Sequence, residues 1–212
     1  MKVGNTDINN PKIGSNYIEK VYSGSDLVYE RTFTTLLDNL TGSTGGFSLR
    51  RLNSSYTGSA IQVRRTSDNS TLDIGFVNNE LDTASLTTFC TGTDGYVTTW
   101  YNQGSGADVT QSTASRQPKI YEASTGVQTE NGKSCLLFDG VNDTLTAPNN
   151  FGNIGDCISF FTVVNGNTGS FPTIVSKSYD ETGAYAIGTQ SNSGYLNAWV
   201  ETDRFNDFSL PN

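Results

Sequence analysis

The sequence has no histidine, one methionine and two tryptophans, and only 16% of its 212 residues are charged. Without imidazole, Ser/His/Asp and Cys/His nucleophile systems, histidine-ligated zinc and a histidine general base are all excluded. Among the common hydrolytic designs only carboxylate chemistry stays open. Cations are scarce, 13 Lys and Arg against 21 Asp and Glu, for a formal net charge of −8. Such a chain offers no electrostatic footprint for nucleic acid or an anionic membrane. No apolar run approaches the roughly 20 residues that span a bilayer, and the opening MKVGN has no apolar signal core, which argues against Sec export. Three cysteines, Cys90, Cys135 and Cys157, allow at most one disulfide and otherwise read as buried thiols of a protein assembled in a reducing cytoplasm.

What the chain has in abundance is Thr (28), Ser (23), Gly (22) and Asn (21), with aromatic residues held at 11%. A disordered chain sheds aromatics and gains charge, and a helical bundle needs Ala, Leu, Glu and Lys. A turn-rich all-β protein is left.

The first thirty residues repeat with a period of ten. Gly4, Gly14 and Gly24 are each followed by a small polar residue, Asn5, Ser15 and Ser25, and four positions after each Gly comes Ile8, Ile18 or Val28. Gly-Asn and Gly-Ser supply turns and the β-branched residues supply short strands. Strands this short bury too little to stand alone. Residues 1–31 are therefore expected to dock by completing a sheet on a partner, or else to pack as a meander on their own following domain. KIGSNYIEKVYSGSDLVY resembles the opening of tailed-phage virion proteins, which implies other virion proteins as partners. Residues 32–46 read as a linker, and residues 47–212 as one further domain.

In that domain 47–52 and 60–65 alternate like two strands around the loop 53–58. Residues 81–90 hold the one expected helix, with Asp82 or Thr83 as N-cap, Leu86, Phe89 and Cys90 on one face, and Gly92 past the end. Residues 95–101 form a strand. From residue 134 short strands follow at 135–138, 144–146, 157–164, 173–175, 184–187 and 195–200, a spacing typical of a β-sandwich.

FSLRRLNSSYTGSAIQVRRTSDNSTLDIGF, LDTASLTTFC, GYVTTWYNQGSGADVTQ, RQPKI and LLFDGVNDTL, in this order, resemble the concanavalin-like domain of the arabinofuranosidase B type. The resemblance implies a jelly-roll β-sandwich with one short helix, and for the family's enzymes retaining hydrolysis of α-L-arabinofuranosides. The family's Tyr-Asp-Gln-Ser-Gly-Asn-Gly loop stands here as residues 101–106, one residue short and with Asn102 in place of Asp. The best local match to the family's nucleophile is Glu181, in YDETG. A retaining glycosidase needs a second carboxyl about 5–5.5 Å away, for which Glu201, Asp203 and Asp207 are candidates. The same segment also reads as a polar hairpin turn.

Trp100, Tyr101, Tyr195 and Trp199 are the aromatics suited to stacking on a sugar ring, with core packing the competing use for each Trp. The doublets Arg50–Arg51 and Arg64–Arg65 read either as an anion or uronate site or as ion pairs with Asp68, Asp73 or Asp82; alternation sends one Arg of each doublet to each face. Asp139–Asp143 gathers oxygen ligands that would suit Ca²⁺, yet departs from the D-x-[DN]-x-[DN]-G loop and is better explained as a β-turn with Asn/Asp side-chain hydrogen bonds. No metal ligand set and no cofactor is expected otherwise. The sequence thus points first to a bacteriophage virion component in tail, neck, head fibre or decoration, a homo-oligomer displaying a lectin-like domain for glycan or host-surface attachment, and leaves enzymatic activity open. A glycoside hydrolase of the α-L-arabinofuranosidase type and a purely architectural capsid decoration protein are the alternatives.

Overall fold

The computed structural model describes residues 2–3, 6–7, 12–13, 16–17, 20–30, 35–40, 42–148, 162–165, 173–177, 185–189 and 196–200. Each decad of the N-terminal repeat forms a two-stranded antiparallel hairpin. β1 (Lys2–Val3) pairs β2 (Thr6–Asp7), β3 (Lys12–Ile13) pairs β4 (Asn16–Tyr17), and β5 (Lys20–Ser23) pairs β6 (Asp26–Glu30). At the third tip Gly24 takes φ +64°, which an L side chain adopts only under strain.

The central unit is built on β7 (Ile61–Arg65), β8 (Thr71–Ile74), β9 (Phe76–Val77), β10 (Glu80–Leu81), α1 (Thr83–Phe89) and β11 (Gly95–Trp100), then β12 (Val109–Thr110), β13 (Lys119–Glu122), β14 (Gly126–Val127), β15 (Thr129–Glu130) and β16 (Lys133–Ser134). Its main sheet runs β14-β13-β11-β7-β8, with β12 on β11, and its pairings are antiparallel. The hairpins β9–β10 and β15–β16 turn on Asn78-Asn79 and Asn131-Gly132, all at positive φ, the requirement of a two-residue I′ turn. A separate meander joins β17 (Thr173–Lys177), β18 (Tyr185–Thr189) and β19 (Leu196–Val200) in that order. The all-β expectation with one short helix holds.

Alternation sets the two faces of the main sheet. Ile61, Val63, Ile74 and Val97 point inward, where they meet Leu81, Leu86, Cys90 and Ile120 in one buried cluster. α1 covers that side, and its start matches the expectation: Asp82 Oδ1 accepts from Ser85 N at 3.0 Å, and Gly92 follows at φ +74°. Gly95 lets the helix and sheet close. A Cβ there would sit 2.6 Å from Cys90 Sγ.

Several expected strands differ. Residues 47–52 make only the isolated bridge Arg50↔Glu80 and do not pair with β7, whose neighbours are β8 and β11. The reason is a side chain, described below, which takes the place of a partner strand. Residues 135–138 and 144–146 contribute single bridges, Lys119↔Leu137 and Thr110↔Thr146. Residues 162–165 are not strand, and 157–161 lie outside the described residues. The stretch read as a linker carries a 3₁₀ turn at Leu36–Asn39. It is tied to the domain by Leu37 N to Leu52 O at 2.7 Å and by Asp38 Oδ1, which accepts from Ser54 N and Oγ, both at 3.0 Å.

Candidate functional site

Two residues that follow β11 organise the centre of the molecule. Asn102 is 6% exposed, and its Oδ1 accepts from Gly46 N and Gly104 N, both at 2.8 Å. Its Nδ2 donates to Thr44 O at 2.7 Å and Ala107 O at 3.2 Å. Gln103, 1% exposed, accepts from Leu52 N at 2.6 Å and donates to Arg50 O at 2.8 Å and Ser48 O at 3.2 Å. One primary amide therefore offers residues 48–52 the alternating donors and acceptors of a strand edge. The loop 101–106 acts here as a structural clasp, and Asn supplies both a donor and an acceptor where a carboxylate would only accept.

The face of the main sheet opposite α1 is polar. Gln62 and Arg64 lie on it by alternation. Gln62 Nε2 donates to Asp73 Oδ1 at 3.0 Å across the β7–β8 pair, and Thr98 Oγ1 donates to Gln62 Oε1 at 3.0 Å. Tyr101, half-buried, donates its hydroxyl to the same Asp73 oxygen at 2.9 Å. Burial, then the hydrogen bond to Asp73, pushes the Tyr101 phenol up to about 12. It stays a neutral donor at physiological pH, as does Tyr56, whose phenol is raised by burial and by Asp108. Amide, hydroxyl and carboxylate groups side by side on a sheet face are the chemistry that hydrogen-bonds sugar hydroxyls.

Trp100, named beside Tyr101 as a stacking residue, packs against the core cluster and meets Phe47 edge-on at 6.0 Å. Its Nε1 is buried with no hydrogen-bond partner among the described residues. Glu181 and Tyr195 lie outside the described residues, and Trp199 is placed only by its backbone, opposite Ala186 in the β18–β19 pair.

The arginine doublets divide. Arg65 grips Asp68 bidentately at 2.9 and 2.7 Å, and Arg50 Nε lies 3.0 Å from Glu80. Arg51 sits 5.4 Å over the Phe76 ring. Arg64 binds amides, Gln117 Oε1 and Asn69 Oδ1, each at 2.8 Å. Arg64 and Arg65 do emerge on opposite faces, the first over Tyr96 of β11 and the second over Phe89 of α1.

At residues 139–143 the oxygens serve the loop itself. Asp139 Oδ1 accepts from Val141 N, Asn142 N and Asp143 N at 2.8–3.2 Å, and Asp143 Oδ2 accepts from Asp139 N at 2.9 Å. Those backbone amides lower the Asp139 carboxyl, whereas burial raises that of Asp143. Cys90 is a buried free thiol raised to about 11 by burial, and Cys135 is also free. Among the described residues no three His, Cys, Asp or Glu side chains are gathered to hold a metal.

Residues 41–138, a little under half of the chain, match the family model described as alpha-L-arabinofuranosidase B, catalytic. No curated protein matches the sequence. Among solved structures the chain is similar to a glutamate-to-glutamine mutant of a GH54 α-L-arabinofuranosidase soaked with 4-nitrophenyl α-L-arabinofuranoside, at 16% identity and a TM-score of 0.44. The similarity covers 78% of this chain and 40% of that enzyme, so the chain spans about two fifths of the enzyme's length.

Proposed function

We propose that this chain is a glycoside hydrolase module of the α-L-arabinofuranosidase type, acting on arabinofuranoside-bearing glycans. The match of residues 41–138 to the arabinofuranosidase B catalytic model carries the reading. It favours the hydrolase over the virion lectin as the main function.

The chemistry requires one carboxylate to attack the anomeric carbon and one carboxylic acid, its pKa raised, to protonate the departing oxygen. Glu181 is the proposed nucleophile, with Glu201, Asp203 or Asp207 as the acid. Lys177 lies opposite Tyr185, and Tyr185 opposite Val200, so the described ends of β17, β18 and β19 meet at one end of the meander. Glu181 lies in sequence between β17 and β18 and Glu201 after β19; both, with Asp203 and Asp207, lie outside the described residues. The polar row of Gln62, Asp73 and Tyr101 would add hydrogen bonds to glycan hydroxyls. Release of nitrophenol from 4-nitrophenyl α-L-arabinofuranoside, abolished by Glu181→Gln in a folded variant, tests the proposal. No release by the wild-type chain would overturn it.

A second role rests on the N-terminal decads. Each hairpin pairs only within itself among the described residues, with strands of two to five residues, and hairpins of that size are not stable alone. This favours attachment of residues 1–31 to a partner assembly, a virion being the setting to which their sequence points.

A further inference from the structure

The geometry points to a site for a uronate carboxylate at Arg64, beside the Gln62–Asp73 pair on the polar face of the main sheet. Unlike the hydrolase reading, it assigns an acidic ligand, and it does not require that reading to hold.

The starting point is how Arg64 is held. The chain carries 21 carboxylate side chains against 13 Lys and Arg. Arg65 and Arg50 each take a carboxylate, and Lys119 takes Asp94 at 3.0 Å and Glu122 at 3.3 Å. Arg64, half-buried, takes only neutral amide oxygens among the described residues: Nε donates to Gln117 and Nη1 to Asn69. Both acceptors are fixed. Gln117 is 3% exposed and donates its own Nε2 to Gln111 O at 2.8 Å. Asn69 occupies the left-handed region at φ +59° and closes the β7–β8 turn through its amide to Arg65 O. Neutral acceptors orient a guanidinium without cancelling its charge. A guanidinium carries five N–H donors, and two are used here; Nη2 bonds to no described residue. The cation lies 5.6 Å from the Tyr96 ring centroid, which restricts its plane while leaving its charge in place.

Nη2, with the remaining Nη1 hydrogen, is left to a further acceptor, and a carboxylate makes the strong charge-assisted bond that neutral amides do not. The setting favours a sugar acid over a free anion. Gln62, two residues along β7 on the same face, sits about 6.7 Å away along the strand, and with Asp73 it offers the hydrogen bonds that sugar hydroxyls use. One uronate residue of an oligosaccharide can thus place its carboxylate on Arg64 while a neighbouring unit meets Gln62 and Asp73.

The full chain should be titrated calorimetrically with an oligogalacturonate and with the same oligosaccharide after reduction of its carboxyl groups to alcohols. The acidic form should bind at least about tenfold more tightly, a typical value for one charge-assisted contact, and Arg64→Gln should abolish the difference while Arg65→Gln preserves it. Should Arg64→Gln fail to fold, Arg64→Lys keeps the charge without the fork and should still reduce the preference; the comparison of two ligands on the wild-type chain needs no variant. Equal affinity for both oligosaccharides, an unchanged preference in folded Arg64→Gln, or displacement of the uronate by equimolar inorganic phosphate would each overturn the assignment.

Discussion

Replacing Gln103 by alanine removes the amide that substitutes for a strand. Three backbone groups lose their partner together: Leu52 N at 2.6 Å, Arg50 O at 2.8 Å and Ser48 O at 3.2 Å. Each of these part-buried groups costs up to about 1–3 kcal/mol when orphaned. Water entering the vacated space recovers part of this, so the net loss is about 3–5 kcal/mol. For a domain of this size each kcal/mol shifts Tm by roughly 2–4 °C, which places the melting transition about 10 °C lower. Gln103→Glu adds a pH signature. A carboxylate facing Ser48 O and Arg50 O has its pKa raised in the folded state, so its charge penalty is absent at low pH. The penalty sets in as pH rises past the unfolded value of about 4.3 and is complete above the folded value. Thermal melts followed by near-ultraviolet circular dichroism at two pH values read both effects. A Gln103→Ala Tm within about 1 °C of wild type would refute the clasp, as would a Gln103→Glu variant no less stable at neutral pH than in acid.

Other consequences are simpler. Leu86→Ala empties the centre of the α1 contact and should cost about 2–5 kcal/mol in denaturant unfolding. Gly104→Ala forces a Cβ to within 2.8 Å of Ser43 O and 3.0 Å of Thr44 O, so it should lower Tm although the position is not fully buried. The Asp38 carboxyl is held at about 2 by the backbone amides of Thr35 and Ser54. Its contribution is present above the unfolded value near 3.9 and is lost as pH falls toward 2; Asp38→Asn should flatten the stability profile over that window. Tyr101→Phe removes the hydroxyl from Asp73 and should cost about 1 kcal/mol, with loss of the phenol that otherwise titrates near 12.

Local signals in the sequence translated directly into structure. The period of ten became one hairpin per decad, and Asp82 with Gly92 bounded the helix. Each is decided within a few residues, by φ preference or by a single capping oxygen. The alternation in β7 also announced that Arg64 and Arg65 take opposite faces. Long-range facts were not legible. Residues 47–52 alternate like a strand, yet their hydrogen-bonding partner is one glutamine some fifty positions away. Loop 101–106 reads as a degenerate motif until its amides are seen closing the clasp. The ionic reading of the doublets fits Arg65, which takes Asp68, while Arg50 takes Glu80, a partner not among those expected; Arg64 is set apart by the fold, which supplies Gln117 and Asn69 where a carboxylate was expected.

The most direct test of the hydrolase account is to incubate the full chain with 4-nitrophenyl α-L-arabinofuranoside in methanol-containing buffer and follow the anomeric products by proton NMR. The account predicts nitrophenol release with methyl α-L-arabinofuranoside, of retained configuration, as the first-formed transfer product, and loss of both on Glu181→Gln. Intact substrate after prolonged incubation with folded wild-type protein, or turnover undiminished in Glu181→Gln, would contradict it.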